Sequence, residues 1–161
     1  MIVALYDVRA GAFRDDPWSF PADDAALPEG KAAVSKARLL ARGEAAAGLV
    51  LSAGDTLGDI DPARFELIAL RFPRYADGRP YSMARCLRER HGFAGELRAT
   101  GDVLRDQIGF LIRAGFDTLD IAHPGTIDAL RAGTLVRPDL YYQPGAGSEA
   151  AAGYSWRRAR A

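Results

Sequence analysis

Cysteine and histidine are scarce in this chain. Cys86 is the single cysteine among 161 residues, and His91 and His123 are the two histidines. One thiol excludes an internal disulfide bond, a Cys-X-X-Cys redox pair and a cysteine-ligated iron–sulfur cluster. Since structural zinc sites use four ligands, mostly cysteine and histidine, three such residues also argue against zinc. We therefore predict no metal site.

Long apolar runs and an excess of one charge are also missing. No stretch approaches the roughly 20 apolar residues of a membrane span, and the apolar start of the chain carries no basic leader. Lysine plus arginine and aspartate plus glutamate both number 21, so the net charge does not point to nucleic acid or to an anionic membrane. These absences predict a cytoplasmic protein that binds neither nucleic acid nor membrane.

The short motifs that mark nucleotide and catalytic sites are absent as well. The chain has no Gly-X-Gly-X-X-Gly after a strand, no Gly-Lys-Ser/Thr phosphate loop, no Gly-X-Ser-X-Gly elbow and no His-Glu-X-X-His motif. The sequence therefore predicts no cofactor.

The middle of the chain has an alternating pattern of strands and helices. Three apolar runs, Glu66 to Phe72, Glu96 to Thr100 and Thr118 to Ala122, are separated by two segments of helical period, Ser82 to His91 and Val103 to Ala114. Strands joined through helices of this length normally lie parallel in one sheet, with right-handed crossovers. Their carboxyl ends then share one edge, which is where α/β sheets bind ligands.

The flanks extend this pattern. Ile2 to Tyr6 and a return run around Trp18 to Phe20 predict an amino-terminal hairpin, Lys31 to Arg42 predicts a helix, and Gly48 to Ala53 predicts a further strand. The fold class is therefore α/β, with a small, mainly parallel sheet of about four strands plus the hairpin. Whether the sheet is open or curled into a partial barrel is left undecided by the pattern.

The chain length suits one domain with a substantial core. We predict a single α/β domain over residues 1–144, with its core in 48–133. Residues 145–161 begin with glycine and alanine and end in aromatic residues and arginines, which is typical of a flexible tail.

The predicted loop after the Glu66 to Phe72 strand carries charged residues that a turn alone does not require. Asp77 starts an Asp-Gly turn and Ser82 suits a helix N-cap, so both have a structural explanation. Arg74 and Arg79 do not. Two guanidinium groups beside a helix amino terminus are suited to hold an oxyanion.

The next loop is similar. Asp102 is most simply an N-cap preceded by a permissive glycine, and Asp106 is favoured by the helix dipole, whereas Arg105 is not. Arg105 either pairs with an aspartate of the neighbouring loop or faces the same anion as Arg79. His123 follows the last strand, where it is either a structural residue or a general acid or base.

These loops supply the candidate site. The predicted proton carriers are Asp77, Asp102 and His123, and the predicted anion-binding residues are Arg74, Arg79, Ser82, Gly101, Arg105 and Asp106. Strand alternation also places Arg71, Arg98 and Asp120 on one face of the sheet, where covered charges would have to pair.

The segment from Phe72 to Ile121 resembles the core of a bacterial family of unknown function, number nine-three-four. The matching blocks are Phe-Pro, Asp-Gly-Arg, Ser-X-Ala-Arg, Leu-Arg-Glu-Arg, Gly-Glu-Leu-Arg-Ala, Gly-Asp-Val, Arg-Asp-Gln and Gly-Phe-Asp, in that order. Family members often carry cysteine where this chain has Ala114, so a thiol role there is not general to this protein.

The resemblance implies that such proteins are encoded beside assimilatory sulfite reductase, and that some of them are labelled as oxidoreductases for this reason. A lone Cys86 and the absence of a nucleotide loop leave no electron carrier, which favours a helper role. We therefore expect an accessory protein of sulfate and sulfite reduction that docks on the reductase or handles an anionic species. One alternative is a free-standing enzyme acting on an anionic metabolite, and another is a purely structural partner that works through its tail, residues 145–161.

Overall fold

The computed structural model describes residues 3–134, which form eight strands and four α-helices. The predicted tail, 145–161, and the end of the predicted domain lie outside the described residues. The strands are β1 (Ala4–Asp7), β2 (Ala12–Arg14), β3 (Trp18–Ser19), β4 (Lys31–Ser35), β5 (Gly48–Leu51), β6 (Leu67–Phe72), β7 (Glu96–Gly101) and β8 (Thr118–Ile121). The helices are α1 (Lys36–Arg42), α2 (Arg79–Glu89), α3 (Ile108–Ala114) and α4 (Pro124–Arg131), with short 3-10 turns at Pro62–Arg64 and Arg105–Gln107. None of the helices within 3–134 has the length and apolar character of a membrane span.

All eight strands form one sheet in the order β2-β1-β8-β7-β6-β5-β4-β3. The neighbours from β3 to β8 pair parallel, and β1 pairs antiparallel with both β8 and β2. The sheet is open and curls into a half-barrel. The α/β class is confirmed, but the sheet is mixed and larger than the roughly four strands expected.

The extra strands come from the first third of the chain. A helix was expected over Lys31 to Arg42, yet its first half is the strand β4, and the helix begins only after Ser35, whose side chain accepts a hydrogen bond from the Arg38 amide. Val34 is fully buried, so its burial in the sheet overrides the helical preference of the surrounding alanines. Gly43 ends α1 in the left-handed conformation, as expected.

The hairpin is present, but its return strand is different. β1 pairs with Ala12–Arg14, whereas Trp18 and Ser19 pair parallel with β4 at the opposite edge of the sheet. Trp18 is buried with Ala33 and Leu67, so it anchors β3 on the sheet rather than closing the hairpin.

The carboxyl ends of α2 and α3 agree with expectation, but their starts do not. Gly78 is the N-cap of α2, so Ser82 lies inside the helix, and α3 begins at Ile108, so Asp102 is not its N-cap. Gly92 and Gly115 both have positive φ, at 60° and 97°. The amide of Phe93 then donates to the Leu87 carbonyl at 2.9 Å, and the amide of Phe116 donates to that of Leu111 at 3.2 Å. Each helix is therefore closed by a left-handed glycine and an apolar residue that folds back onto it.

The two faces of the sheet differ in chemistry. One face carries the main apolar core, to which all four helices contribute, among them Leu39, Leu87, Leu111 and Leu130. Alternate strand residues point to the other face, which we call the polar face, and near the carboxyl ends of β6, β7 and β8 they are charged or polar. The fold thus leaves polar side chains near the strand ends, on the face away from the main apolar core.

Candidate functional site

A cavity of about 810 Å³ opens on the polar face, and we refer to it as the polar-face cavity. It lies at the carboxyl ends of parallel strands, where α/β sheets bind ligands. Residues from the segment after β3, including Phe20 and Asp23, line it together with side chains from β4 to β8. Its polar lining includes Lys36, Ser52, Asp55, Arg71, Thr100 and Asp120.

Strand register places three of these side chains in one row. Arg71 on β6 is the register partner of Thr100 on β7. Arg98 is the partner of Thr118, so Thr100 and Asp120, each two residues further along, continue the same register. The row of Arg71, Thr100 and Asp120 therefore crosses three adjacent strands on the polar face.

A cluster of charged side chains around the buried Arg98 lies beside this row. The guanidinium of Arg98 is fully buried and donates to Glu96 Oε1 at 2.8 Å and to Asp16 Oδ2 at 2.7 Å. Thr118 donates its hydroxyl to the same Glu96 oxygen at 2.6 Å. Burial alone would lower the pKa of Arg98, but its bonds to Asp16 and Glu96 outweigh burial and raise it, so the guanidinium is charged.

Asp120 is the third carboxylate around this single cation. Its Oδ1 lies 3.7 Å from Arg98 Nη1, beyond hydrogen-bond distance, and its side chain is 16% exposed. Burial raises the pKa of Asp120 to about 6, partly offset by Arg98 and reinforced by the negative charges of Asp16 and Glu96. A carboxyl group with this pKa exchanges a proton close to neutral pH, as a general acid or base must.

Arg71 differs from the other cation in the cavity lining. Lys36 donates its ammonium group to the Thr56 carbonyl at 2.5 Å, so it is already engaged. Arg71 is exposed and forms no hydrogen bond or ion pair within residues 3–134. Asp55 accepts from the Ser52 amide at 2.7 Å, which occupies one of its carboxylate oxygens. The guanidinium of Arg71 is therefore the cation of the lining that has all its donors unused, whereas Lys36 has already used one of its three.

The family assignment follows from residues 48–152, which match the sequence profile described as bacterial protein of unknown function (DUF934). The chain belongs to this family. No curated protein and no solved structure matches the chain. The DUF934 match begins at β5, so Arg71, Thr100 and Asp120 fall within it, whereas Phe20 and Lys36 precede it.

In this DUF934 protein, Asp77 and Arg79 pair with each other. Arg79 donates through Nε and Nη2 to the Asp77 carboxylate, at 3.0 and 2.6 Å, and its amide donates to Oδ1. These hydrogen bonds lower the pKa of Asp77 to about 2, which keeps it ionised at neutral pH. Arg79 and Ser82 line a separate pocket of about 260 Å³, which also contains Cys86.

The first two predicted loops do meet. Asp102 Oδ2 accepts a hydrogen bond from the Tyr75 amide at 2.9 Å, and the Asp102 amide donates to the Phe72 carbonyl at 2.9 Å. Gly101 allows this approach, since a Cβ there would lie 2.3 Å from the Phe72 oxygen. Gly101 is also the one predicted site residue that lines the polar-face cavity. Asp102 thus joins the loops after β6 and β7.

The remaining predicted residues lie apart from the cavity lining. Arg105 donates to the Thr134 carbonyl at 2.7 Å, and therefore does not pair with an aspartate of the neighbouring loop. His123 is exposed and caps α4, with Nδ1 3.3 Å from the Thr126 amide. Arg74 and Asp106 are exposed. The DUF934 structure therefore brings Asp77, Arg79 and Asp102 into neighbouring loops but does not gather all nine residues.

The cavity residues had a weaker signal in the sequence. Arg71, Arg98 and Asp120 interrupt otherwise apolar strands at alternate positions, which predicts a shared face, and the structure places all three on the polar face. Phe20, Lys36 and Asp55 lie in segments distant in sequence, and nothing in their local pattern indicates that they meet. The sequence thus contained a signal for the floor of the cavity but not for its walls.

Proposed function

We propose that this protein binds a small anionic metabolite in the polar-face cavity and exchanges a proton with it through Asp120. The observation that supports this most directly is the pairing of an unengaged guanidinium, Arg71, with a protonatable carboxyl on the same row of the sheet. Arginine binds carboxylates and oxyanions through charge-assisted hydrogen bonds, often two at a time. A ligand held by Arg71 would therefore be an anion.

The role of Asp120 follows from its surroundings. Burial disfavours the charged form of Asp120, and Arg98 only partly compensates, since it already forms short ion pairs with Asp16 and Glu96. Asp120 therefore takes up a proton more readily than an exposed aspartate, and its protonated form donates a hydrogen bond to a ligand oxygen. This makes Asp120, together with Arg71, the residue pair that we assign to the enzyme alternative.

Ligand screening tests the binding step. Sulfite, sulfate, inorganic phosphate and phosphorylated or carboxylated metabolites should include at least one that raises the melting temperature, because a ligand of the folded state stabilises it. Arg71→Ala should abolish this shift. Arg74→Ala is the matched control, since Arg74 is also exposed and unpaired within 3–134 but lies outside the cavity lining. Equal responses of the two variants would contradict the proposal.

The pH dependence of binding tests Asp120. Below about pH 6 the carboxyl is protonated, which removes a negative charge from the cavity, so anion affinity should rise as the pH falls from neutral. With sulfate as the probe, whose own charge is constant near neutral pH, Asp120→Asn should bind with little dependence on pH over the same range. If titration calorimetry shows the same pH dependence of affinity in Asp120→Asn as in the wild type, the proton-exchange role of Asp120 is excluded.

The family resemblance supports a second proposal, an accessory role in assimilatory sulfate and sulfite reduction. In this role the cytoplasmic protein would hold sulfite or a related anion, or dock on sulfite reductase. Its support is the ordered match of motif blocks from Phe72 to Ile121, within a region that also matches the family profile. We expect a deletion strain to grow poorly with sulfate as the sole sulfur source, and the protein to copurify with the reductase. Normal growth on sulfate would contradict it.

A further inference from the structure

The polar-face cavity is larger than an inorganic oxyanion requires. Its volume is about 810 Å³, within the roughly 300–1,000 Å³ typical of pockets for complete small molecules. A water molecule takes about 30 Å³ of liquid volume, and a sulfite or phosphate ion only a few times that. An oxyanion at Arg71 would therefore leave most of the cavity filled with water.

Part of the cavity wall is apolar. Phe20 and Leu40 both line it, and their side chains are 41% and 67% exposed. Single exposed apolar residues are common on protein surfaces. Here two large ones border the same cavity, with Pro21 and Ala37 beside them in the lining. The cavity therefore combines the polar row on the sheet with an apolar patch at Phe20 and Leu40, in a wall that also contains Asp23 and Lys36.

The ring of Phe20 is held in place. The buried guanidinium of Arg98 lies 5.4 Å from the ring centroid, within the range of a cation–π contact. Arg98 is itself fixed by its ion pairs to Asp16 and Glu96. The exposed part of the ring is thus a positioned surface, and ordering it costs a ligand little conformational entropy.

We propose that the ligand is an organic anion with an aromatic ring, whose anionic group binds Arg71 and whose ring packs against Phe20 and Leu40. This inference rests on the proposed function, because it specifies the class of anion for the same cavity. Ring packing against an aromatic side chain, with the anion held at a distance, matches the two chemistries that the cavity presents.

Three probes that share one anionic group test the ring directly: inorganic phosphate, methyl phosphate and phenyl phosphate. Titration calorimetry on the full chain should show phenyl phosphate binding at least about tenfold more tightly than methyl phosphate, since aromatic stacking on a side chain contributes an effect of this order. Equal affinities for the methyl and phenyl esters would overturn the inference.

Variants locate the preference. Phe20→Ala should lower the affinity for phenyl phosphate far more than the affinity for methyl phosphate, and so remove the phenyl preference. Leu40→Ala should reduce the preference without disturbing the core, because Leu40 is largely exposed. Phe20→Leu guards against misfolding, since it keeps an apolar wall and should retain part of the preference. Phe110→Ala is the matched control, as Phe110 is 62% exposed on α3 and outside the cavity lining.

The outcomes separate this inference from the proposed function. If methyl phosphate binds through Arg71 but the phenyl group adds nothing, the aromatic-ligand inference fails and the anion site stands. If none of the three probes binds and Arg71→Ala behaves as the wild type, both fail. A phenyl preference that survives Phe20→Ala and Leu40→Ala would also overturn the inference, because the ring would then lie elsewhere.

Discussion

Replacing Asp120 with asparagine should stabilise the protein at neutral pH, and the gain should vanish in acid. The folded-state pKa of Asp120 is raised from the ordinary value of 3.8 to about 6. Below pH 3.8 the carboxyl is protonated in both states and contributes nothing to the pH dependence. Between the two values the folded state binds more proton than the unfolded state, so the free energy of unfolding falls as the pH rises. Well above pH 6 Asp120 is ionised in both states, and the full free-energy cost of burying its charge is present.

The magnitude follows from the size of the shift. A difference of about 2 pKa units corresponds to about 3 kcal/mol, at roughly 1.4 kcal/mol per unit. The side chain is only 16% exposed, so solvent screens this cost weakly, and we take the figure as an upper bound. Asparagine has nearly the same shape and carries no charge, and its amide oxygen still faces Arg98. The free energy of unfolding of Asp120→Asn should therefore exceed that of the wild type by up to about 3 kcal/mol at neutral pH.

Urea unfolding at about pH 4 and about pH 7.5 measures the effect through the linear extrapolation of the free energy. The difference between Asp120→Asn and the wild type should grow between the two values, by about 2 to 3 kcal/mol. Asp59→Asn is the control, because Asp59 is exposed and forms no interaction within 3–134. A difference that stays constant with pH would refute the reasoning, since it would mean that Asp120 titrates alike in the folded and unfolded states.

Two further substitutions test the surroundings of the cavity, and a third tests the mid-helix glycine of α3. Arg98→Met should lower the free energy of unfolding at neutral pH by up to about 3 to 5 kcal/mol, because Asp16 and Asp120 lose their neighbouring cation and Glu96 keeps only Arg14. A loss below about 1 kcal/mol in urea unfolding would contradict this role of Arg98. Gly101→Ala should lower the free energy of unfolding, measured in the same way, by more than about 2 kcal/mol. The φ of Gly101 is 94°, and a Cβ there would meet the Phe72 oxygen. Gly109→Ala, which meets nothing within 4 Å, should instead stabilise α3 by up to about 1 kcal/mol.

The centre of the fold could be predicted from sequence because its signals are local. The pattern from Glu66 to Ala122 specified three strands and two helices in the correct order, and the left-handed glycines at 92 and 115 end the helices as expected. Each of these features depends on residues only a few positions apart. Alternation along β6, β7 and β8 likewise identified which charged side chains share a face.

The first third of the chain could not be predicted in the same way. β3 has two residues, and β4 is made of alanines, a valine, a lysine and a serine, so neither has the strand composition that periodicity detects. Both depend on contacts distant in sequence, above all Trp18 packing on Leu67. Gly48 on β5 is a second example, because Trp18 packs so closely on it that a Cβ there would lie 2.9 Å from the Trp18 ring. Such contacts have no local signature.

The same distinction explains why the cavity and the predicted loops differ. Residues that suit turns and helix starts were the natural candidates for a site, but in this structure their polar atoms are largely used by the backbone. Asp102 accepts from the Tyr75 amide, Asp77 from Arg79, and His123 caps α4. A side chain that satisfies a backbone amide has less capacity left for a ligand.

Arg71 and Asp120 lie on strands whose backbone groups are already paired with neighbouring strands, so their side chains are not needed to satisfy backbone groups. In a parallel sheet, polar residues at alternate positions near the strand ends are therefore stronger candidates for a ligand site than the turn residues that follow them.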